Sequence, residues 1–469
     1  MDHPRAGNMR WGMKTACRGL LLAVLAGAPS FVRADNPIVQ TRYTADPAPM
    51  VYKDRLYLVT SHDNDGATYF NMTDWRLFST DDMANWQDHG SPAGLATFSW
   101  ASKDAWAPQA VERNGKFYLY VPVQPRSGGG AAIGVGVADK IEGPYKDAIG
   151  RPLVQNGEID PTVFIDDDGQ AYLYWGNPNL NYVKLNPDMI SYQGQPVRVQ
   201  LTTQGFGPRA AGRGDGKRPT SYEEGPWLYK RNGVYYMIYA ANCCSEDIRY
   251  ATAPTATGPW TYRGLVMATE GSSFTNHPGV VHYMNNSYFF YHNGALPGGG
   301  GYARSVSVER FNYGADGSIP TMKMSKTGAP QLKEFDPYTR REAETMAFSR
   351  GVSTEPCSEG GINVNNINNG DYIKVAGVAF GAAPGPKTFT ARVAAGGNAQ
   401  NSKIELRLGG ESGTLVGTCN VPGSTGGWQS WTTVNCSVSG ATGTKDLFFK
   451  FVGSGSGYLF NMNWWQFAK

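Results

Sequence analysis

The chain has 469 residues, more than one hydrophobic core ordinarily organises, so two or three domains are expected. Only 17% of the residues are charged, the formal net charge is +3, and no basic run accompanies it, which argues against nucleic acid as a partner. The 59 glycines and 26 tyrosines instead fit a loop-rich, all-β protein that handles neutral ligands.

Residues 1–34 read as a secretory signal, which predicts a secreted protein. Lys14 and Arg18 precede an apolar run from Gly19 to Ala28, and Val32-Arg33-Ala34 offers a small-x-small cleavage site before Asp35. The run is too short to span a bilayer, and no later stretch reads as transmembrane, so no membrane partner is expected. Five cysteines follow the signal. Cys419 and Cys436 flank a hairpin and are expected to bridge. Adjacent Cys243 and Cys244 form either a vicinal disulfide or two thiols. The odd total, with Cys357, leaves at least one sulfur unpaired.

From residue 35 to 335 one pattern recurs five times. A polar residue and a proline open a strand, a tight turn follows, and an aromatic-rich strand returns. The copies are Asp46-Pro47 with Tyr57, Ala107-Pro108 with Tyr118, Asp160-Pro161 with Tyr172, Glu224-Gly225-Pro226 with Tyr236, and His277-Pro278 with Tyr288. The prolines are spaced by 61, 53, 65 and 52 residues, each interval long enough for a four-stranded antiparallel sheet. No segment keeps helical periodicity for three turns. Five such units predict a five-bladed β-propeller around a central channel.

The residues before the prolines then ring the axis, and three of them are acids: Asp46, Asp160 and Glu224. Any one Asp-Pro pair ordinarily marks a strand start; the shared place in the repeat is what gathers them. Like charges in one cavity raise at least one pKa and separate an acid from a base. Glycoside hydrolysis needs that separation, with one carboxylic acid protonating the leaving oxygen and one carboxylate activating water. Trp106 is expected to wall the sugar pocket.

The segments Ala45-Asp46-Pro47, Ile159-Asp160-Pro161-Thr162 and Glu223-Glu224-Gly225-Pro226-Trp227 resemble glycoside hydrolase family 43 over residues 38–330. The resemblance implies an inverting enzyme in which Asp46 is the general base, Glu224 the general acid, and Asp160 the third acid that orients Glu224. Inversion calls for about 6.5–9.5 Å between base and acid. The resemblance also implies that Arg304 contacts substrate, and that His277 faces the cavity beside substrate or a calcium ion held through water.

Near residue 336 the composition turns Gly- and Asn-rich. Arg341-Glu342-Ala343-Glu344, Asn369-Gly370-Asp371-Tyr372-Ile373, Gly427-Trp428-Gln429-Ser430-Trp431 and the stretch from Gly457 to Trp465 resemble carbohydrate-binding module family 6, a β-sandwich (jelly-roll) over 336–469. By this resemblance Tyr372 and Trp428 stack on sugar, Asn461 hydrogen-bonds it, and Glu342, Glu344 and Asn463 hold a structural calcium. The family often has Asp where this chain has Asn463, which removes one negative charge from that site. No cofactor is expected for catalysis. The two modules together predict a monomeric arabinoxylan arabinofuranohydrolase. The alternatives are a β-xylosidase or dual xylosidase/arabinofuranosidase, and, from another class, a non-catalytic glycan-binding protein.

Overall fold

The computed structural model describes residues 35–213, 218–397, 400–455 and 457–469; the expected signal, 1–34, lies outside the described residues. The described part is built almost wholly of antiparallel strands, with one four-residue helix at Thr203–Phe206. Among the described residues, no helix is long and apolar enough to cross a membrane.

Five sheets follow the five sequence repeats. Blade I comprises Thr44–Tyr52, Arg55–His62, Asp74–Thr80 and Trp86–Asp88; blade II comprises Gln109–Arg113, Lys116–Pro125, Ala131–Ala138 and Lys146–Asp147. Blade III runs from Thr162 to Arg198, blade IV from Tyr222 to Met267, and blade V from Gly279 to Phe311. In each, the Pro-led strand pairs with the aromatic-rich one, as in Met50↔Tyr57, Phe164↔Tyr172 and Tyr229↔Tyr236.

The second strands explain why the blades close into a ring. Side chains alternate between the two faces of a strand, and here both faces are buried. In blade IV, Tyr235, Met237 and Tyr239 pack with Tyr172 and Tyr174 of blade III, whereas Tyr236, Ile238 and Ala240 pack with Phe289 and Tyr291 of blade V. Similar cores join blades I and II through Trp75 and Leu119, and II and III through Ile133 and Leu173. The last joins V back to I, with Tyr288, Phe290 and Val306 against Leu56, Leu58 and Phe78. Each fully buried large apolar side chain contributes about 1.5–3 kcal/mol, so the continuous apolar run that would look wrong in a half-exposed strand is what this position requires.

Blade V has only three strands. The segment from residue 36 to 44 takes the place of a fourth. Ile38 N donates to Val306 O and Thr44 N to Arg304 O, both at 2.9 Å. The Asn36 amide exchanges two bonds with Val308, donating to its O and accepting from its N, each at 3.1 Å. The first blade is thereby tied to the last.

Two further sheets form a sandwich. One contains Ser353–Pro356, Ile362–Asn365, Asn461–Ala468, Thr388–Ala394, Thr432–Ser437 and Arg341–Glu342; the other contains Phe348–Arg350, Tyr372–Ala379, Thr444–Ser454, Gln400–Leu408 and Thr414–Asn420. Phe389, Phe449, Trp465 and Phe467 centre its core. Cys419 and Cys436 are bonded across the two sheets, Cys243 and Cys244 are joined, and Cys357 is unpaired and buried. The sandwich also grips blade I. Thr345–Met346 pairs with Trp86–Asp88, and the Asn85 amide pairs with the Ala376 backbone (Nδ2 to O 3.0 Å, N to Oδ1 2.8 Å).

Candidate active site

The turns that carry the three motif acids share a backbone feature. Asp46, Asp160 and Gly225, each directly before a proline, take φ of 53°, 61° and 58°. That left-handed region costs an L residue about 1–2 kcal/mol. In blade IV glycine occupies the strained place and the acid sits one residue earlier, at Glu224. A Cβ on Gly225 would also press on the His277 ring at 3.1 Å.

Asp46, Asp160 and Glu224 line one well of about 290 Å³ together with Trp106, His277 and Arg304. All six residues expected in the propeller site therefore meet. Asp46 is buried and held on several sides. Ser61 Oγ donates to Oδ2 at 2.5 Å and Arg304 Nη1 to Oδ1 at 3.2 Å, with His277 Nδ1 3.7 Å away. Burial alone would raise the Asp46 pKa, but Arg304 above all, with His277 and the Ser61 hydroxyl, outweighs it and holds the group down to about 2. The Asp46 backbone N–H donates to His292 Nδ1 at 3.1 Å, leaving Nε2–H to donate to Thr275 Oγ1 at 3.2 Å. Burial and Arg304 push His292 down to about 3, so it is neutral.

Glu224 has the opposite environment. Burial, then Glu223 and Asp46, raise it to about 7, against the Asn177 amide and Arg304. Asp160 Oδ2 accepts the Gly225 N–H at 3.0 Å. Burial, Glu224 and Asp46 push Asp160 up as well, so the two buried carboxyls titrate as a pair. Glu223, the neighbouring acid, turns away from the well to Arg209 at 2.6 Å and Arg218 at 3.0 Å.

Other residues were not signalled by the repeat. Asp63 binds the Nε–Nη2 edge of Arg304 with both carboxylate oxygens, each at 2.9 Å, fixing the group that depresses Asp46. Asn177 donates to Glu224 Oε2. Glu246 is buried, accepts the Asn276 N–H at 2.8 Å through Oε2, and has no partner for Oε1 among the described residues. Phe70, Phe274 and Tyr302 form an edge-to-face cluster beside Trp106, with Phe70 and Tyr302 4.9 Å apart, and Arg304 lies over Phe70. Asp63, Phe70, Asn177, Glu246 and Tyr302 lie in loops after second strands, and Phe274 in the loop that leads into blade V, where the Pro-led pattern is silent.

In the sandwich, Trp428 and Asn461 meet: Asn461 Nδ2 donates to Trp428 O and to Glu355 Oε1, both at 2.8 Å. Tyr372 does not share their neighbours. It lies on the other sheet, on the face opposite to buried Ile373 and Val375, among Phe348, Phe448 and Arg350. Strand alternation, which puts Ile373 in the core, turns Tyr372 outward. The aromatic ring beside Trp428 is Tyr458, 46% exposed and 6.5 Å away.

The expected calcium ligands divide. Glu344 Oε2 and Asn463 Oδ1 are buried without partners among the described residues. Burial pushes the Glu344 carboxyl well up. Two orphaned oxygens of this kind fit an oxygen-seeking cation such as calcium. Glu342 is instead engaged by Arg340 at 3.0 Å, and Glu359, bonded to Asn463 Nδ2 at 3.1 Å, stands near the pair. At His277 the facing Asp46 oxygen already serves Arg304, so a calcium there would rest on the imidazole and water.

Residues 34–319 match the family model for glycosyl hydrolases family 43, and 342–469 match carbohydrate binding module (family 6). An arabinoxylan arabinofuranohydrolase of Bacillus subtilis (strain 168) is 35% identical over 96% of this chain and 97% of its own. The crystal structure of a family 43 arabinoxylan arabinofuranohydrolase from Bacillus subtilis, in complex with cellotetraose, superposes with a TM-score of 0.78 at 34% identity, covering 94% of this chain and 100% of that one. A family 43 β-xylosidase/α-arabinofuranosidase from a compost metagenome, with xylotriose and in calcium-free form, gives 0.56 at 28% identity over 62% of this chain and 97% of that one.

Proposed function

The chain belongs to glycosyl hydrolase family 43, and from that premise we propose that it removes α-L-arabinofuranosyl side chains from arabinoxylan with inversion. Residues 35–335 are assigned to the hydrolase and 336–469 to the carbohydrate-binding module. Because the polymer is too large to enter a cell, the site of action is extracellular.

One observation carries the reading. Two carboxyl groups in a single well are driven apart, Asp46 to about 2 and Glu224 to about 7. At neutral pH Asp46 is an anion able to take a proton from water, and Glu224 keeps a proton to give away. In the proposed step Asp46 deprotonates a water as its oxygen attacks the anomeric carbon. Glu224 passes its proton to the glycosidic oxygen, and the C–O bond to xylan breaks. Asp160 raises Glu224 by proximity and holds Gly225 in register. Trp106 and Phe70 wall the sugar, and Arg304 keeps Asp46 ionised and aimed. Trp428 and Asn461 serve the module's sugar contact. Glu344 and Asn463 would hold a calcium in the sandwich, where it would supply structure and take no part in the reaction.

A glycan-binding protein without chemistry gains nothing from separating these two acids. Glu224→Gln tests the assignment. It is expected to lose about 10²–10⁴-fold in kcat/KM on arabinoxylan and less on a good-leaving-group arabinofuranoside. Unchanged hydrolysis of both would reject it. Product analysis from wheat arabinoxylan and linear arabinan tests the substrate: arabinose without xylose, and little from arabinan, is expected. Xylose release would move the chain to the xylosidases.

A further inference from the structure

We propose that Asn177, positioned by buried Glu158, decides which oxygen of Glu224 carries the proton that is transferred. The inference rests on Glu224 being the general acid. Asn177 Nδ2 donates to Glu224 Oε2. An oxygen that receives a hydrogen bond there has no room for its own proton on that side, so the proton goes to Oε1. The loop that presents Asn177 is clamped. Glu158, 7% exposed, accepts Asn177 N–H at 2.6 Å and Asn179 Nδ2 at 2.6 Å. Gly176 N donates to Ile159 O at 2.7 Å, and Tyr222 Oη donates to Gly176 O at 2.8 Å. Gly176 admits no side chain, since a Cβ would lie 1.8 Å from Asn179 O. The clamp thus sets where the amide points, and the amide sets the carboxyl.

The same bond favours the anionic form of Glu224 and opposes the groups that raise it. Those groups are Glu223, which acts from outside the well where it pairs with Arg209 and Arg218, and Asp46, Asp160 and Glu246; Arg304 is the opposing cation, Arg218 Nη2 donates to Asn177 Oδ1 at 3.4 Å, and Tyr222 is neutral. Asn177 therefore acts as a positioning residue with two measurable effects. It aims the proton, and it keeps the acid from being driven too high to release that proton.

The test compares Asn177→Ala, Asn177→Asp, Glu158→Gln and Glu224→Gln on arabinoxylan and on a nitrophenyl arabinofuranoside, across pH. Asn177→Ala is expected to lose about 10-fold or more in kcat on arabinoxylan, and little on the nitrophenyl substrate, whose leaving group needs no proton. Its alkaline limb should move up by about one pH unit, since a hydrogen bond to the anion is gone. Asn177→Asp keeps the loop's backbone bonds and should move the limb the same way; it serves if the alanine variant folds poorly. Glu158→Gln should show a smaller shift of the same sign. An unmoved limb with equal losses on both substrates overturns the role of Asn177. Full activity in Glu224→Gln would instead remove the acid assignment on which it stands.

Discussion

Asn85→Ala probes the grip between blade I and the sandwich. The wild-type amide donates to Asp82 Oδ2 at 2.7 Å and exchanges two bonds with the Ala376 backbone. After truncation, the Ala376 carbonyl still receives Gln331 Nε2 at 3.1 Å, and Asp82 still accepts from Ala84 and Asn85 backbone N–H groups at 2.8 Å. The Ala376 N–H is left buried with nothing to donate to. An orphaned buried donor costs about 1–3 kcal/mol, and a lost bond to a carboxylate about 1.5–3 kcal/mol, so the sum is about 2.5–6 kcal/mol. For two modules that unfold together, 1 kcal/mol lowers Tm by about 1 °C at this length, giving a fall of about 2.5–6 °C by calorimetry. If they unfold separately, the sandwich transition should split off to lower temperature. Hydrolysis of a small arabinofuranoside at 25 °C should be unchanged, because Asn85 is remote from the well. A single transition within 1 °C of the parent would refute the reasoning.

The kcat/KM profile should fall as pH rises through about 7, where Glu224 releases its proton; an alkaline limb near 5 would contradict the environment described for it. The depressed Asp46 contributes stability that is present above the ordinary carboxylate range and is lost as pH falls through about 2, so Asp46→Asn should flatten acid unfolding in that window. Removal of divalent cations by chelator should lower Tm, calcium should restore it, and Glu344→Gln should abolish the response; a parent Tm indifferent to both would exclude an ion there. Trp428→Ala should weaken retention on insoluble xylan with little change on a soluble nitrophenyl substrate, as measured by pull-down and initial rate.

Much of the architecture could be read from the chain because one physical demand repeats. Every blade needs a Pro-led inner strand and a second strand buried on both faces, and the five copies from Asp46 to His277 mark those strands. The acids became legible by their shared place in the copies. The residues that tune them did not. Asp63 directly follows a second strand, His292 lies near the end of another, Asn177 sits in a loop, and Glu158 precedes the motif by two residues; Asp63 and Asn177 share an offset from their prolines, but their residue types differ and mark no pattern. In the sandwich no repeat was available to correct a resemblance. Motif order marks Tyr372 and Trp428 alike as stacking residues, and the alternation that buries Ile373 and Val375 sets the Tyr372 ring on the outside of the opposite sheet. Tyr458, in a Gly/Ser-rich loop, carries no pattern that marks it as a partner of Trp428.

The tie between the first and last blades has a consequence for how activity arises. Asp46 belongs to blade I, but Arg304 and His292, which fix its charge and its backbone, belong to blade V. The base is therefore finished only when the circle shuts, with residues 36–44 zipped onto the edge of blade V. Turnover doubles as a reporter of that last fastening, so a chain with four sound blades and a gaping fifth should look folded to a spectrometer and be inert toward substrate.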